Sequence, residues 1–130
     1  MRKAEIYGRE IKMQGSPYTL LAYSQAFGGD LLRDILSAYE ETPPDIGALL
    51  RVVWAMAKTY DDETPEFAEW LREFDPKEFA LNELDWIGEV DGAISAELFR
   101  GEQTKARRAF RRIRREIARR MGALAQRIGA

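Results

Sequence analysis

A chain of 130 residues, 45% hydrophobic and 32% charged, is long enough for one real core and carries the composition of an ordinary globular domain. It contains neither cysteine nor histidine, which removes disulfides, Cys/His zinc sites, Ser-His-Asp and Cys-His catalysis and the usual neutral-pH general base. The formal net charge of -2 hides an asymmetry: residues 1–100 carry ten basic and twenty acidic side chains, whereas 101–130 carry ten basic against only Glu102 and Glu116.

An acidic body at -10 and a tail at +8 point to a tail that meets an acidic surface, either nucleic acid, a membrane, a partner or the body itself. No apolar run approaches the roughly 18 residues of a membrane span, and MRKAEIYGREIK does not read as a signal peptide. The expected location is therefore the cytoplasm. The chain divides into one globular domain over 1–100 and a basic amphipathic helix over 101–130.

Residues 3–13 read as a β-hairpin. KAEI and REIKM alternate apolar with polar, which puts Ala4, Ile6, Ile11 and Met13 on one face, with Tyr7-Gly8 at the turn. A lone hairpin is marginal in water, so that face is expected to dock on the helices that follow; its edges offer pairing to another copy. After Gly15 the pattern becomes helical. Ser16-Pro17, Thr64-Pro65 and Asp75-Pro76 each set a capping side chain before a proline at the first helical position, and Glu78 makes a capping box with Asp75. The first helix is predicted over 17–27 and ends at Gly28-Gly29; Asp30 caps a second through 39, with Leu31, Leu32, Ile35 and Leu36 inward.

Pro43-Pro44 breaks the chain, and Asp45 caps a third helix over 46–60 whose GALLRVVWAMA is apolar nearly all round and so central. The acidic turn Asp61-Asp62-Glu63 leads to a helix over 65–74 with Phe67, Trp70, Leu71 and Phe74 on one stripe. A short turn at 76–81 precedes a helix over 83–99 that carries Leu84, Ile87, Ile94 and Leu98. The predicted fold class is α+β, mostly α: an N-terminal β-hairpin, a compact helical domain and a C-terminal basic amphipathic helix.

In the tail, Phe110, Ile113, Ile117, Met121, Leu124 and Ile128 recur at spacings of 3, 4, 4, 3 and 4. At 100° per residue they share one narrow face, while Arg107, Arg108, Arg111, Arg112, Arg115 and Arg119 take the opposite side. Burying six such side chains is worth roughly 9–18 kcal/mol as an upper estimate, so the stripe is expected to pack on the body or on another chain. The candidate partner-binding residues are Phe110, Ile113, Ile117, Met121, Leu124, Arg108, Arg111, Arg112, Arg115 and Arg119. Read as a nucleic-acid surface, the arginines would neutralise about six to eight phosphates; read as a membrane helix, the segment has the required stripe and basic face. Against both, the tail has a single aromatic for base stacking, and the body at -10 repels phosphate.

Nothing else in the sequence supports catalysis. Asp61-Asp62-Glu63 are adjacent in a turn and do not converge on one point, so they read as a solvated helix connection. Trp54, Trp70 and Trp86 lie on helical stripes and read as core. Gly28-Gly29-Asp30 precedes a helix, the arrangement of an anion site, but lacks a phosphate-loop lysine and a preceding strand; it reads as a helix stop followed by a cap. No catalytic residue, metal ligand or cofactor is expected.

The order Ile6-x-Gly8-x-x-Ile11-x-Met13, then Pro17-Tyr18-Thr19-Leu20, then Tyr23-x-Gln25-x-Phe27-Gly28-x-Asp30-Leu31-Leu32-x-Asp34-Ile35, resembles the tail assembly chaperones of long-tailed (siphovirus-type) phages and prophages. The apolar third helix and Asp85-Trp86-Ile87 fit the later part of that pattern, so the resemblance covers roughly residues 4–99; residues 101–130 have no counterpart in it. It implies a small non-enzymatic chaperone, free of ATP and cofactor, that coats the tape-measure protein and, in a longer frameshifted form, recruits tail-tube subunits. Expected partners are therefore the tape-measure and tail-tube proteins and further copies of the chain, with no membrane. The alternative is a small nucleic-acid-binding protein that acts through the arginine face.

Overall fold

The computed structural model describes residues 1–81 and 85–99 together with Arg112, Arg115 and Arg119. Two strands, β1 (Arg2–Ile6) and β2 (Arg9–Met13), are followed by α1 (Pro17–Phe27), α2 (Leu31–Glu40), α3 (Ile46–Tyr60), α4 (Phe67–Arg72), α5 (Pro76–Leu81) and α6 (Ile87–Leu98). The class is α+β, mostly α.

The strands pair antiparallel with Ile6 opposite Arg9, which leaves a two-residue loop. Both loop residues have positive φ, Tyr7 at 51° and Gly8 at 78°, the geometry that matches hairpin twist. A tyrosine is a costly choice for the first position, and its surroundings explain it. The ring is buried and meets Phe74, Phe79 and Trp86 edge-on at centroid distances of 5.8, 5.2 and 5.8 Å. Such pairs add about 0.5–1.5 kcal/mol each beyond area burial, enough to hold a strained turn.

Ala4, Ile6, Ile11 and Met13 are all buried, as the alternation predicts. They rest on α3 and α6, not on each other's strand alone: β2 packs against α3, and β1 against α6. Polar ties fix the same contacts. The Gln14 amide donates to the Met56 carbonyl (3.0 Å) and the Glu5 amide to Glu89 Oε2 (2.6 Å).

Helix α3 is the centre. Val52 to Ala57 are buried without interruption, and α1, α2, α4 and β2 all cover it. Its start is capped by Asp45, whose Oδ1 accepts from the Ala48 amide (3.1 Å). Helix α1 begins with Ser16 as cap and Thr19 answering it: Ser16 Oγ accepts from the Tyr18 amide, and Thr19 Oγ1 from the Ser16 amide, both 3.1 Å. Thr19 is fully buried and bonds Thr59 Oγ1 at 2.7 Å, while Thr59 donates to the Ala55 carbonyl. One threonine thus closes the α1 cap and fastens it to the last turn of α3. Gly28 ends α1 in the left-handed conformation (φ 72°), and Asp30 Oδ1 caps α2 through the Arg33 amide (2.9 Å).

Three boundaries depart from expectation. Thr64 does not cap α4; its hydroxyl bonds the carbonyls of Ala57 and Asp61, and the Pro65 carbonyl is taken by Trp54 Nε1 (2.8 Å), so the helix starts at Phe67. The stretch 76–81 is a helix, α5, with Asp75 Oδ1 accepting from the Lys77 amide. Helix α6 starts at Ile87, after a turn at Asp85-Trp86, and Leu84 lies outside the described residues.

The end of α6 returns to the hairpin exit. The Gly15 amide donates to Glu97 Oε1 (3.3 Å), and a methyl group at Gly15 would run into the Glu97 carbonyl. In contrast, a methyl at Gly92 meets nothing within 4 Å. Gly15→Ala should therefore destabilise by about 1–3 kcal/mol through overpacking, and Gly92→Ala should stabilise by about 0.5–1 kcal/mol through helix propensity. Urea midpoints of the two variants check both signs; a neutral Gly15→Ala would contradict the close approach.

Candidate functional site

Among the described residues the feature that stands out is a surface groove beside helix α1. Helix α1 turns Thr19, Ala22 and Tyr23 inward and leaves Tyr18, Leu20 and Leu21 42%, 45% and 51% exposed. Tyr18 also edges a groove of about 610 Å³ between α1 and α4, walled by Tyr18, Ala22, Gln25 and Ala26 on one side and Glu66, Phe67 and Ala68 on the other, with Lys58 of α3 beside them. Phe27 and Trp54 also line it.

An aromatic series holds that floor rigid. Phe27 meets Tyr23, Trp54 and Phe67 at 5.0, 5.5 and 5.0 Å, and Phe67 stacks on Trp70, which meets Phe74 edge-on at 4.9 Å. Through Tyr7 the series reaches Trp86 under the hairpin. All three tryptophans are buried, Trp54 and Trp70 on their helical stripes and Trp86 in the turn before α6, yet Trp54 also lines the groove.

The position of α1 is set by Tyr23. Its ring is fully buried and its hydroxyl donates to Asp34 Oδ2 at 2.6 Å, which ties α1 to α2. Burial, helped by that hydrogen bond and by the Asp34 charge and opposed by Arg51, pushes the hydroxyl up to about 12. The Asp34 carboxylate sits so close to Gly29 that a side chain there would displace it, so the second glycine of the pair makes room for this contact.

The acidic turn behaves as a connection. Asp61, Asp62 and Glu63 are exposed, and Asp61 Oδ1 accepts from the Glu63 amide (2.9 Å). Among the described residues no group of three acidic side chains converges as a metal site, and no helix is long and apolar enough to cross a membrane. Of the ten tail residues singled out from sequence, Arg112, Arg115 and Arg119 are described, and all three are helical and exposed. Their spacing of three and four sets them on one face. Phe110, Ile113, Ile117, Met121, Leu124, Arg108 and Arg111 lie outside the described residues.

Sequence reasoning did not single out the α1 face. The signal was present: PYTLLAYSQAF is apolar on every side of the helix, more than one buried stripe requires. Set against family models, curated proteins and solved structures, the chain finds no match in any of the three comparisons.

A hydroxyl whose folded pKa is raised stabilises the fold fully below the unfolded value of about 10 and ceases to do so as pH climbs through the folded one. Wild-type stability should therefore fall between pH 10.0 and about 12 by more than that of Tyr23→Phe. At neutral pH the variant should lose about 1 kcal/mol with the hydrogen bond. Denaturant titrations of both proteins across that range check the difference; parallel curves would rule out the Tyr23 contribution.

Proposed function

We propose that the protein is a non-enzymatic assembly chaperone of the phage-tail type, which shields a long helical client such as a tape-measure protein and helps bring tail-tube subunits to it. The observation that carries this reading is the α1 face with its adjoining groove, a pre-formed apolar trough on a chain without histidine or cysteine. An amphipathic helix laid into such a trough is read at i, i+3, i+4 and i+7, so a long helical client presents many equivalent stations. Covering half-exposed Tyr18, Leu20 and Leu21 contributes about 1 kcal/mol each, a modest gain per site that suits repeated, reversible coating. The hairpin-first sequence pattern of residues 4–99 supports the same reading by resemblance.

The second reading, a nucleic-acid binder, is favoured by the exposed arginine face at 112, 115 and 119. The acidic body weighs against it.

Co-expression of the full chain with any long helical protein encoded next to its gene tests the proposal. A complex that keeps the client in solution, resists nuclease and is lost in Leu20→Glu/Leu21→Glu is the expected result. If the client precipitates equally with and without the chain, the reading is wrong. Recovery of nucleic acid alone, released at high salt, would move the function to the arginines.

A further inference from the structure

A second, smaller cavity of about 230 Å³ lies where the hairpin loop meets α5 and the start of α6, and it shares no residue with the groove between α1 and α4. Its lining is rich in carboxylates. Glu5 of β1, Glu78 of α5, Asp85 of the turn before α6 and Glu89 of α6 all border it, and no lysine or arginine does. Glu5, Asp85 and Glu89 are exposed, and among the described residues none of the three forms an ion pair with a basic side chain. The first turn of α6 favours Glu89 through the helix dipole. That does not account for Glu5, which reaches the same cavity from a strand.

The same cavity has an unanswered donor. Trp86 lines it and is 2% exposed, and its Nε1–H finds no acceptor among the described residues. Buried indole N–H groups normally have one. A ligand that fits therefore brings both an acceptor for the indole and positive charge for the carboxylates. A metal ion offers no acceptor, and the acidic groups do not converge on one point. A guanidinium suits them better, because its five donors in a planar fork can be shared among carboxylates that stand apart. An arginine within a peptide supplies both parts, since its backbone carbonyl is the acceptor. The volume lies below the roughly 300–1,000 Å³ of drug-sized pockets, a space for one long side chain and not for a helix.

We propose that this cavity binds an arginine of a partner protein, its guanidinium among Glu5, Glu78, Asp85 and Glu89 and its backbone carbonyl on Trp86 Nε1–H. The surroundings hold such a site still. The Tyr7 ring is fixed edge-on against Phe74, Phe79 and Trp86, and the Glu5 amide holds Glu89 Oε2 at 2.6 Å. The indole and one carboxylate are thus in position before a ligand arrives, which lowers the cost of binding. The contact depends neither on the α1 face nor on the chaperone reading.

Three tryptophans give three indole N–H resonances in the nuclear magnetic resonance spectrum of the full chain, and Trp86→Phe assigns the one at issue. Addition of the peptide acetyl-Gly-Arg-Gly-amide should move the Trp86 resonance saturably and leave those of Trp54 and Trp70 in place. The same peptide with citrulline for arginine, alike in shape but uncharged, should not move it. Glu5→Gln/Asp85→Asn, at two exposed positions, should weaken binding about tenfold through lost charge-assisted hydrogen bonds. Asp62→Asn/Glu63→Gln removes the same charge from the exposed turn after α3 and should leave binding unchanged. The proposal is overturned by a Trp86 resonance that stays still, moves no further than the other two or responds equally to citrulline. Equal affinities in the two double variants would overturn it as well.

Discussion

Everything in this fold is arranged around the burial of one helix. Six consecutive residues of α3, Val52 to Ala57, are shielded from water, and a helix apolar on all sides needs cover on all sides. The hairpin, α1, α2 and α4 are that cover. Each has one face committed to α3, and what its other face does is then free to serve something else. Helix α1 is the clearest case: Thr19, Ala22 and Tyr23 satisfy α3 and α2, and the leucines between them are left facing out.

The cover is attached by side chains that do two jobs. Thr19 completes its own helix cap and bonds Thr59 across to α3. Trp54 belongs to the central helix, yet its indole holds the Pro65 carbonyl and thereby sets where α4 begins. Tyr7 accepts an unfavourable backbone conformation because three aromatic partners surround its ring. Polar atoms stitch layers together here, while aromatic edges set the distances between them.

Much of this was legible in the residues. The hairpin face, the limits of α1 and α3 and the centrality of α3 follow from alternation, capping chemistry and an all-apolar stretch, signals carried within a few neighbouring positions. The misplaced start of α4 shows where such signals stop. Thr64-Pro65 has the local grammar of a helix start, but Trp54, eleven residues earlier, claims the Pro65 carbonyl. Likewise Tyr7 in a left-handed turn is unreadable without Phe74, Phe79 and Trp86, which arrive some seventy residues later. The groove between α1 and α4 was hidden for a related reason: a trough is a property of two helices, and no single segment announces it.

The pairing of the first strand with the last described helix has a consequence for how the chain is made. The Glu5 amide meets Glu89, and Gly15 meets Glu97, so the hairpin's apolar side has no α6 to rest on until nearly a hundred residues have been synthesised. While the nascent chain grows at about 5–20 residues per second, the part of that surface that β1 lays on α6 stays open for several seconds after β2 can meet α3. The β1 half of the hairpin therefore completes its packing only when α6 arrives, although β2 meets α3 much sooner.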